Sequence, residues 1–167
     1  LVAPLRDRFR LTLRFDYYTI EELTNILQQR VQALRWEIES DVLSRIAALG
    51  RGTPRIVLRI LESCRRTSRS ENSPIVTMEH FERTKRLDGI DSLGLDETEQ
   101  QYLQILDEAN GPLALNMIAT RLSMPRKTVT GVIEGYLIRS NLITKENSQR
   151  KLTPKGIEHL ARNQQEQ

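Results

Sequence analysis

Apolar residues recur along this chain with two different periods. Leu11, Leu13 and Phe15 alternate with Thr12 and Arg14, the two-residue repeat of a short, half-buried strand. From residue 19 onward the period lengthens to that of a helix. Thr19 and Glu22 have capping-box spacing, and Leu23, Ile26, Leu27 and Val31 then line one face, which predicts a helix over 19–34. Ser40 is placed to cap a second helix carrying Val42, Leu43, Ile46 and Ala47, with Gly50 as its left-handed terminator. In Arg51-Gly52-Thr53-Pro54-Arg55, Thr53 reads as an N-cap and Pro54 as the first helical residue of a third helix through Ile56, Leu58, Ile60 and Leu61. A polar loop over 68–74 precedes a fourth helix, started by Thr77 and running through Met78, Phe81 and Leu87.

Asp88-Gly89-Ile90-Asp91-Ser92-Leu93-Gly94 interrupts the periodicity and marks a boundary between domains at 19–90 and 91–167. Beyond it, Tyr102, Leu103, Ile105 and Leu106 predict a helix that Gly111-Pro112 ends, and Leu115, Ile118, Ala119 and Leu122 predict a short second one. Ser123 and Pro125 open a third helix with Val129, Val132, Ile133, Tyr136 and Leu137 inward and Arg126, Lys127 and Arg139 outside. Leu142-Ile143-Thr144 and Arg150-Lys151-Leu152 flank the polar turn Glu146-Asn147-Ser148-Gln149 as a hairpin, and Thr153-Pro154 starts a closing helix through Ile157 and Leu160. Helix, turn, helix and hairpin make a winged helix.

Composition narrows the chemistry. With 38% hydrophobic and 28% charged residues the chain falls in the ordinary globular class, and it contains no apolar run long enough to span a membrane. A net charge of +3 leans only mildly toward an anionic partner, so local clustering decides. The lone Cys64 excludes an internal disulfide and reads as a core residue, and the separated His80 and His159 offer no metal-ligand set. No G-x-x-x-x-G-K-[ST] loop occurs, so the chain holds no nucleotide-hydrolysing centre of its own. Its first residues show neither a signal-peptide pattern nor a starting methionine, and the chain is read as a truncation.

The winged-helix pattern makes Arg126, Lys127, Arg150 and Lys151 candidates for DNA contact, because cations at a helix start reach the major groove and those on a hairpin reach phosphates. A protein-gripping module is the alternative. Arg55, on the first turn of a helix, presents a planar, always-charged fork suited to a polyphosphate, although plain capping chemistry also explains the turn around it. Arg6 and Arg8 flanking Asp7 fit a salt-bridged loop, and Tyr17 and Tyr18 fit ordinary packing.

Pro4-Leu5-Arg6-Asp7-Arg8-Phe9, Arg14-Phe15-Asp16-Tyr17-Tyr18 and Arg51-Gly52-Thr53-Pro54-Arg55-Ile56 follow one another in the order and spacing of RuvB-type Holliday-junction branch-migration motors. Gly111-Pro112-Leu113, Glu134-Gly135-Tyr136-Leu137-Ile138 and the hairpin around Arg150 continue the resemblance through the second domain. It implies a mainly α chain: residues 1–18 as the tail of a large AAA+ ATPase domain, 19–90 as the small helical lid, and 91–167 as a winged helix-turn-helix domain with a β-hairpin wing. By the same resemblance Arg8 is the trans-acting finger that neutralises transition-state charge on a neighbour's nucleotide. Arg55 is the sensor arginine on the phosphates, with Tyr18 and Pro54 near the adenine. The family implies ATP/ADP, with Mg held in the large domain, a homo-hexameric ring, double-stranded DNA and four-way junctions as substrate, and a RuvA-type partner meeting the large domain. A bacterial, cytoplasmic, nucleoid-associated setting goes with it.

The sequence departs from the family pattern at Arg10, where glycine is usual, and at Ser148-Gln149-Arg150, where the wing commonly reads Arg-Gly-Arg. Gly135 replaces a usual proline and should loosen its helix by up to ~1 kcal/mol relative to alanine. The rival reading is a non-catalytic winged-helix DNA-binding or regulatory protein, or an origin-binding AAA+ relative; the presence or absence of an upstream phosphate loop separates the two.

Overall fold

A computed structural model describes residues 13–166. The expected strand over 11–15 does not form where it is described: residues 13–15 are irregular, with Leu13 67% and Phe15 88% exposed, and Leu11 lies outside the described residues. A strand is stable only when a neighbour takes up its backbone groups, and none among the described residues does so here.

The first half is built on α1 (Ile20–Leu34), α2 (Ser40–Ala48), α3 (Pro54–Ser70) and α4 (Met78–Leu87). The Thr19 capping box forms as expected: Glu22 N donates to Thr19 Oγ1 over 3.2 Å and Thr19 N to Glu22 Oε2 over 2.8 Å. Leu27, Val42, Ile46, Val57, Leu61 and Cys64 are completely buried and join the helices in one core. Two short parallel strands, β1 (Glu37–Ile38) and β2 (Ile75–Val76), tie the ends together.

Three local expectations need correction. Ser40 is the first residue of α2 rather than its cap; Glu39 takes the cap position and spends its carboxylate on Met78 N, 2.8 Å away at the start of α4. Gly50 is not the left-handed residue, which falls instead on Arg51 (φ 53°) and Gly52 (φ 75°). Gly50 is small because a Cβ there would stand 2.1 Å from Val57 Cγ1. The polar loop shrinks because α3 runs on to Ser70, its polar end finding partners inside: Thr67 and Thr84 share a hydrogen bond of 2.8 Å between their hydroxyls.

The second half has its own core, with Leu95, Tyr102, Leu103, Ile118, Val129, Leu137 and Leu142 completely buried. Asp96 and Glu99 form a capping box that starts α5 (Glu97–Glu108). β3 (Leu113–Ala114) and α6 (Leu115–Arg121) follow, and then a helical stretch made of α7 (Arg126–Thr128), a π-helical turn (Val129–Ile133) and α8 (Glu134–Arg139). The hairpin strands β4 (Ile143–Glu146) and β5 (Gln149–Leu152) join β3 in an antiparallel sheet of order β3-β5-β4, and α9 (Pro154–Glu166) closes the fold. This is the predicted winged helix. Val132, expected inward, is 71% exposed. An extra residue in a π turn rotates the helix faces on its two sides by about 100° relative to each other, which a plain 3.6-residue period cannot anticipate. Ile157, in α9, is likewise exposed. No described helix is long and apolar enough to cross a membrane.

Candidate nucleic-acid interface and nucleotide-facing turn

The hairpin decides which of its cations face outward. Glu146 pairs with Gln149 across a two-residue turn, Asn147 (φ 46°) and Ser148 (φ 68°). Two consecutive left-handed residues give the tight turn whose twist matches that of the flanking strands. On β5, side chains alternate: Arg150 and Leu152 are buried, whereas Gln149 and Lys151 are exposed. Lys151 is therefore open to a phosphate.

Arg150 is not, which corrects its assignment as a DNA contact. Its Nε donates to Glu134 Oε1 over 2.7 Å and its Nη2 to Glu134 Oε2 over 3.1 Å, while Nη1 donates to Ser148 O over 2.8 Å. The two side chains are only 3% and 4% exposed. Tyr102 completes the cluster by donating to Glu134 Oε1 over 3.0 Å. Hydrogen bonding to Glu134 holds the Arg150 guanidinium above its ordinary pKa, and burial, reinforced by the Glu134 charge, pushes the Tyr102 phenol up. A guanidinium bonded in this way anchors the wing to α8 and has no surface to offer DNA.

Arg126 and Lys127 are exposed at the start of α7. Pro125 supplies the extended residue before them, and Arg126 Nη1 rests on Asn116 Oδ1 of α6, 3.0 Å away. Lys145, which is not among the candidates the sequence pattern singles out, is exposed on β4 directly opposite Arg150. Its position in a predicted hairpin beside a polar turn was the available signal. The exposed cations are thus Arg126 and Lys127 on the helix and Lys145 and Lys151 on the wing, where the two lysines project from opposite faces of the hairpin, Lys145 beside Arg150 and Lys151 on the other side.

In the first half, the structure brings the Tyr18 backbone to the turn before Arg55. Tyr18 N donates to Gly52 O over 3.0 Å, and Thr53 N to Gly50 O over 2.8 Å. Thr53 occupies the N-cap position of α3 without a side-chain bond, and Pro54 is its first residue, so the rigid ring rather than the hydroxyl sets the helix start. Arg55 is exposed on that first turn, has no ion pair among the described residues, and lines a groove of about 750 Å³ together with Arg51, Arg59 and Glu99. An exposed guanidinium at a helix start and a Tyr18 ring that is 47% exposed suit the edge of a nucleotide. The described residues contain no cluster of carboxylates, histidines or cysteines suited to a metal ion. Arg8 lies outside the described residues.

Comparison with known proteins places both halves of the chain in one family. Residues 18–91 match the family model of the RuvB AAA lid domain, and residues 92–161 match that of the RuvB C-terminal winged helix domain. The chain is 33% identical over 163 residues to the Holliday junction branch migration complex subunit RuvB of Neorickettsia sennetsu, covering 96% of this chain and 49% of that protein. The corresponding subunit of Thermosipho melanesiensis is 35% identical over 162 residues, with 96% and 52% covered. Among solved structures, the Thermotoga maritima RuvB Holliday junction branch migration motor superposes with a TM-score of 0.87 at 31% identity, over 96% of this chain and 55% of the other. The chain spans about half the length of the curated relatives that it matches.

Proposed function

Because the chain belongs to the RuvB family, with that family's lid and winged-helix domains in order, we propose that it works as the C-terminal half of an ATP-dependent motor driving Holliday-junction branch migration. The observation that carries this reading is the outward cation set of the winged helix, Arg126, Lys127, Lys145 and Lys151, set in the same chain as the Arg55 turn. The cations hold duplex DNA by its phosphates without reading bases, as an enzyme that moves along arbitrary sequence requires.

The nucleotide supplies the phosphoanhydride whose hydrolysis drives the motion. Arg55 neutralises phosphate charge in cis while the Tyr18 ring and Pro54 pack near the base; Arg8 carries the finger role toward a neighbouring subunit. A hexameric ring around the duplex, Mg held with the nucleotide by a large ATPase domain, a RuvA-type partner at that domain and a place beside the bacterial nucleoid belong to the same proposal.

Fluorescence anisotropy with random-sequence duplexes and a four-way junction, over a salt series, tests it. The expected result is binding to both kinds of DNA without sequence preference, with a log-log salt slope of about −2.7 to −3.6 for three to four neutralised phosphates. A steep preference for one sequence points to a regulatory DNA-binding protein and contradicts the motor reading.

A further inference from the structure

The contacts between the two halves run from the DNA-facing helix to the nucleotide-facing turn. Arg51 sits in the left-handed region, and the turn it opens aims its side chain at the second domain. Its Nη1 lies 2.7 Å from Glu99 Oε1, its Nη2 donates to Gly94 O, and its guanidinium stacks 4.5 Å from the centroid of Tyr136. From the other direction, Arg139 at the end of α8 donates from Nη2 to the backbone oxygen of Arg51 over 3.0 Å. The Arg139 guanidinium covers the Tyr17 ring at 3.5 Å and flanks Tyr136 at 5.3 Å. Tyr17 in turn seats on Gly52, where an added Cβ would stand 2.6 Å from Tyr17 Cβ, and Gly52 O holds Tyr18 N.

We infer that Arg139 and Arg51 are positioning residues that couple the DNA-facing helix to the Gly52–Arg55 turn, so that load on the DNA end alters the setting of Tyr18 and Arg55. This rests on the proposed motor function. Arg126 and Arg139 close the two ends of one helical stretch, about 20 Å long at 1.5 Å per residue. Its cationic end faces outward, and its other end grips a main-chain oxygen of the turn rather than a side chain. A bond to that oxygen holds the peptide plane leading into Gly52, the residue whose carbonyl accepts from Tyr18 N. The π turn at mid-stretch fixes the rotation of one end against the other. The contacts that converge on this turn are directional hydrogen bonds and cation-π stacks.

Hydrogen exchange by NMR on the 167-residue chain, with and without a random-sequence duplex, tests the inference. Without DNA, Arg139→Ala is expected to speed exchange of the Tyr18 and Thr53 amides by about tenfold, leaving the β4–β5 amides at their normal rates as a check on folding. Arg139→Lys, which keeps the charge and loses the planar fork, should fall between. With saturating duplex, the unaltered chain should show slowed exchange at Tyr18 and Thr53, and Arg139→Ala should lose that response while binding the duplex with unchanged affinity. Unchanged exchange in Arg139→Ala without DNA overturns the coupling. So does a turn that ignores bound duplex in the unaltered chain, an outcome that leaves the DNA-binding reading intact. Failure of the unaltered chain to bind duplex at low salt sinks that reading and the coupling with it.

Discussion

Two arginine-glutamate pairs lie largely out of water in this molecule, and they do different things. Arg150 and Glu134 lie inside the winged helix at 3% and 4% exposure, and Tyr102 and Ser148 O complete their hydrogen bonding. Arg51 and Glu99 lie where the two halves meet, at 10% and 6% exposure, with Arg51 Nε left without a partner. Taking charges out of water is costly, and only a fully bonded cluster recovers that cost. The first pair is therefore part of a finished core that fixes the wing against α8. The second is an incompletely satisfied joint, which also keeps a residue with a long side chain in a left-handed conformation. The contrast separates a contact that defines a domain from one that links two domains.

The largest expected effect comes from breaking the finished pair. Glu134→Ala strands the Arg150 charge in the core and should destabilise the winged helix by about 3–5 kcal/mol, read from denaturant unfolding followed by NMR signals of β4 and β5. Replacing both partners with apolar residues of similar volume should recover most of that loss, since the penalty belongs to the unpaired charge. Glu99→Gln has a smaller effect, about 1–3 kcal/mol. With the amide oxygen kept on Asp96 N, where Glu99 Oε2 accepts at 3.0 Å, the amide NH2 stands where Oε1 accepted from Arg51, so both the charge and the hydrogen bond of the joint are lost. The expected signature is separate unfolding of the two halves, with each half's own midpoint little changed; a loss confined to the winged helix would contradict the division. Tyr102→Phe, which takes one donor from Glu134 and leaves the guanidinium in place, should cost about 1 kcal/mol in the same unfolding experiment.

Much of this was legible in the sequence, for identifiable reasons. The capping box at Thr19, the Pro54 helix start, the Gly111-Pro112 break and the hairpin each depend on residues within a few positions of one another. The family resemblance added the order of the two domains. Arg150 was misassigned although the sequence held the correction: Leu152 faces the core, so the two-residue period of a strand puts Arg150 on the same face and Lys151 on the other. An arginine on a wing suggests DNA by residue type alone, and the register of β5 overrules that suggestion. Val132 was misplaced because nothing in the apolar pattern announces a π turn. Gly50 was read as a source of backbone freedom when its part is to let Val57 approach. The joint between the halves had no local signal, because Arg139 and the Arg51 oxygen it grips are 88 residues apart.

Adjacent residues on β5 allow the most direct test of the central claim, that the wing divides into an anchoring arginine and a phosphate-facing lysine. Unfolding midpoints and the salt slope of duplex binding should be measured for Arg150→Gln and Lys151→Gln. The account predicts that Arg150→Gln loses several kcal/mol of stability. Lys151→Gln should stay within about 0.5 kcal/mol of the unaltered chain while its salt slope shrinks by about one. An Arg150→Gln protein with full stability and a reduced salt slope would contradict the account and return Arg150 to the DNA surface.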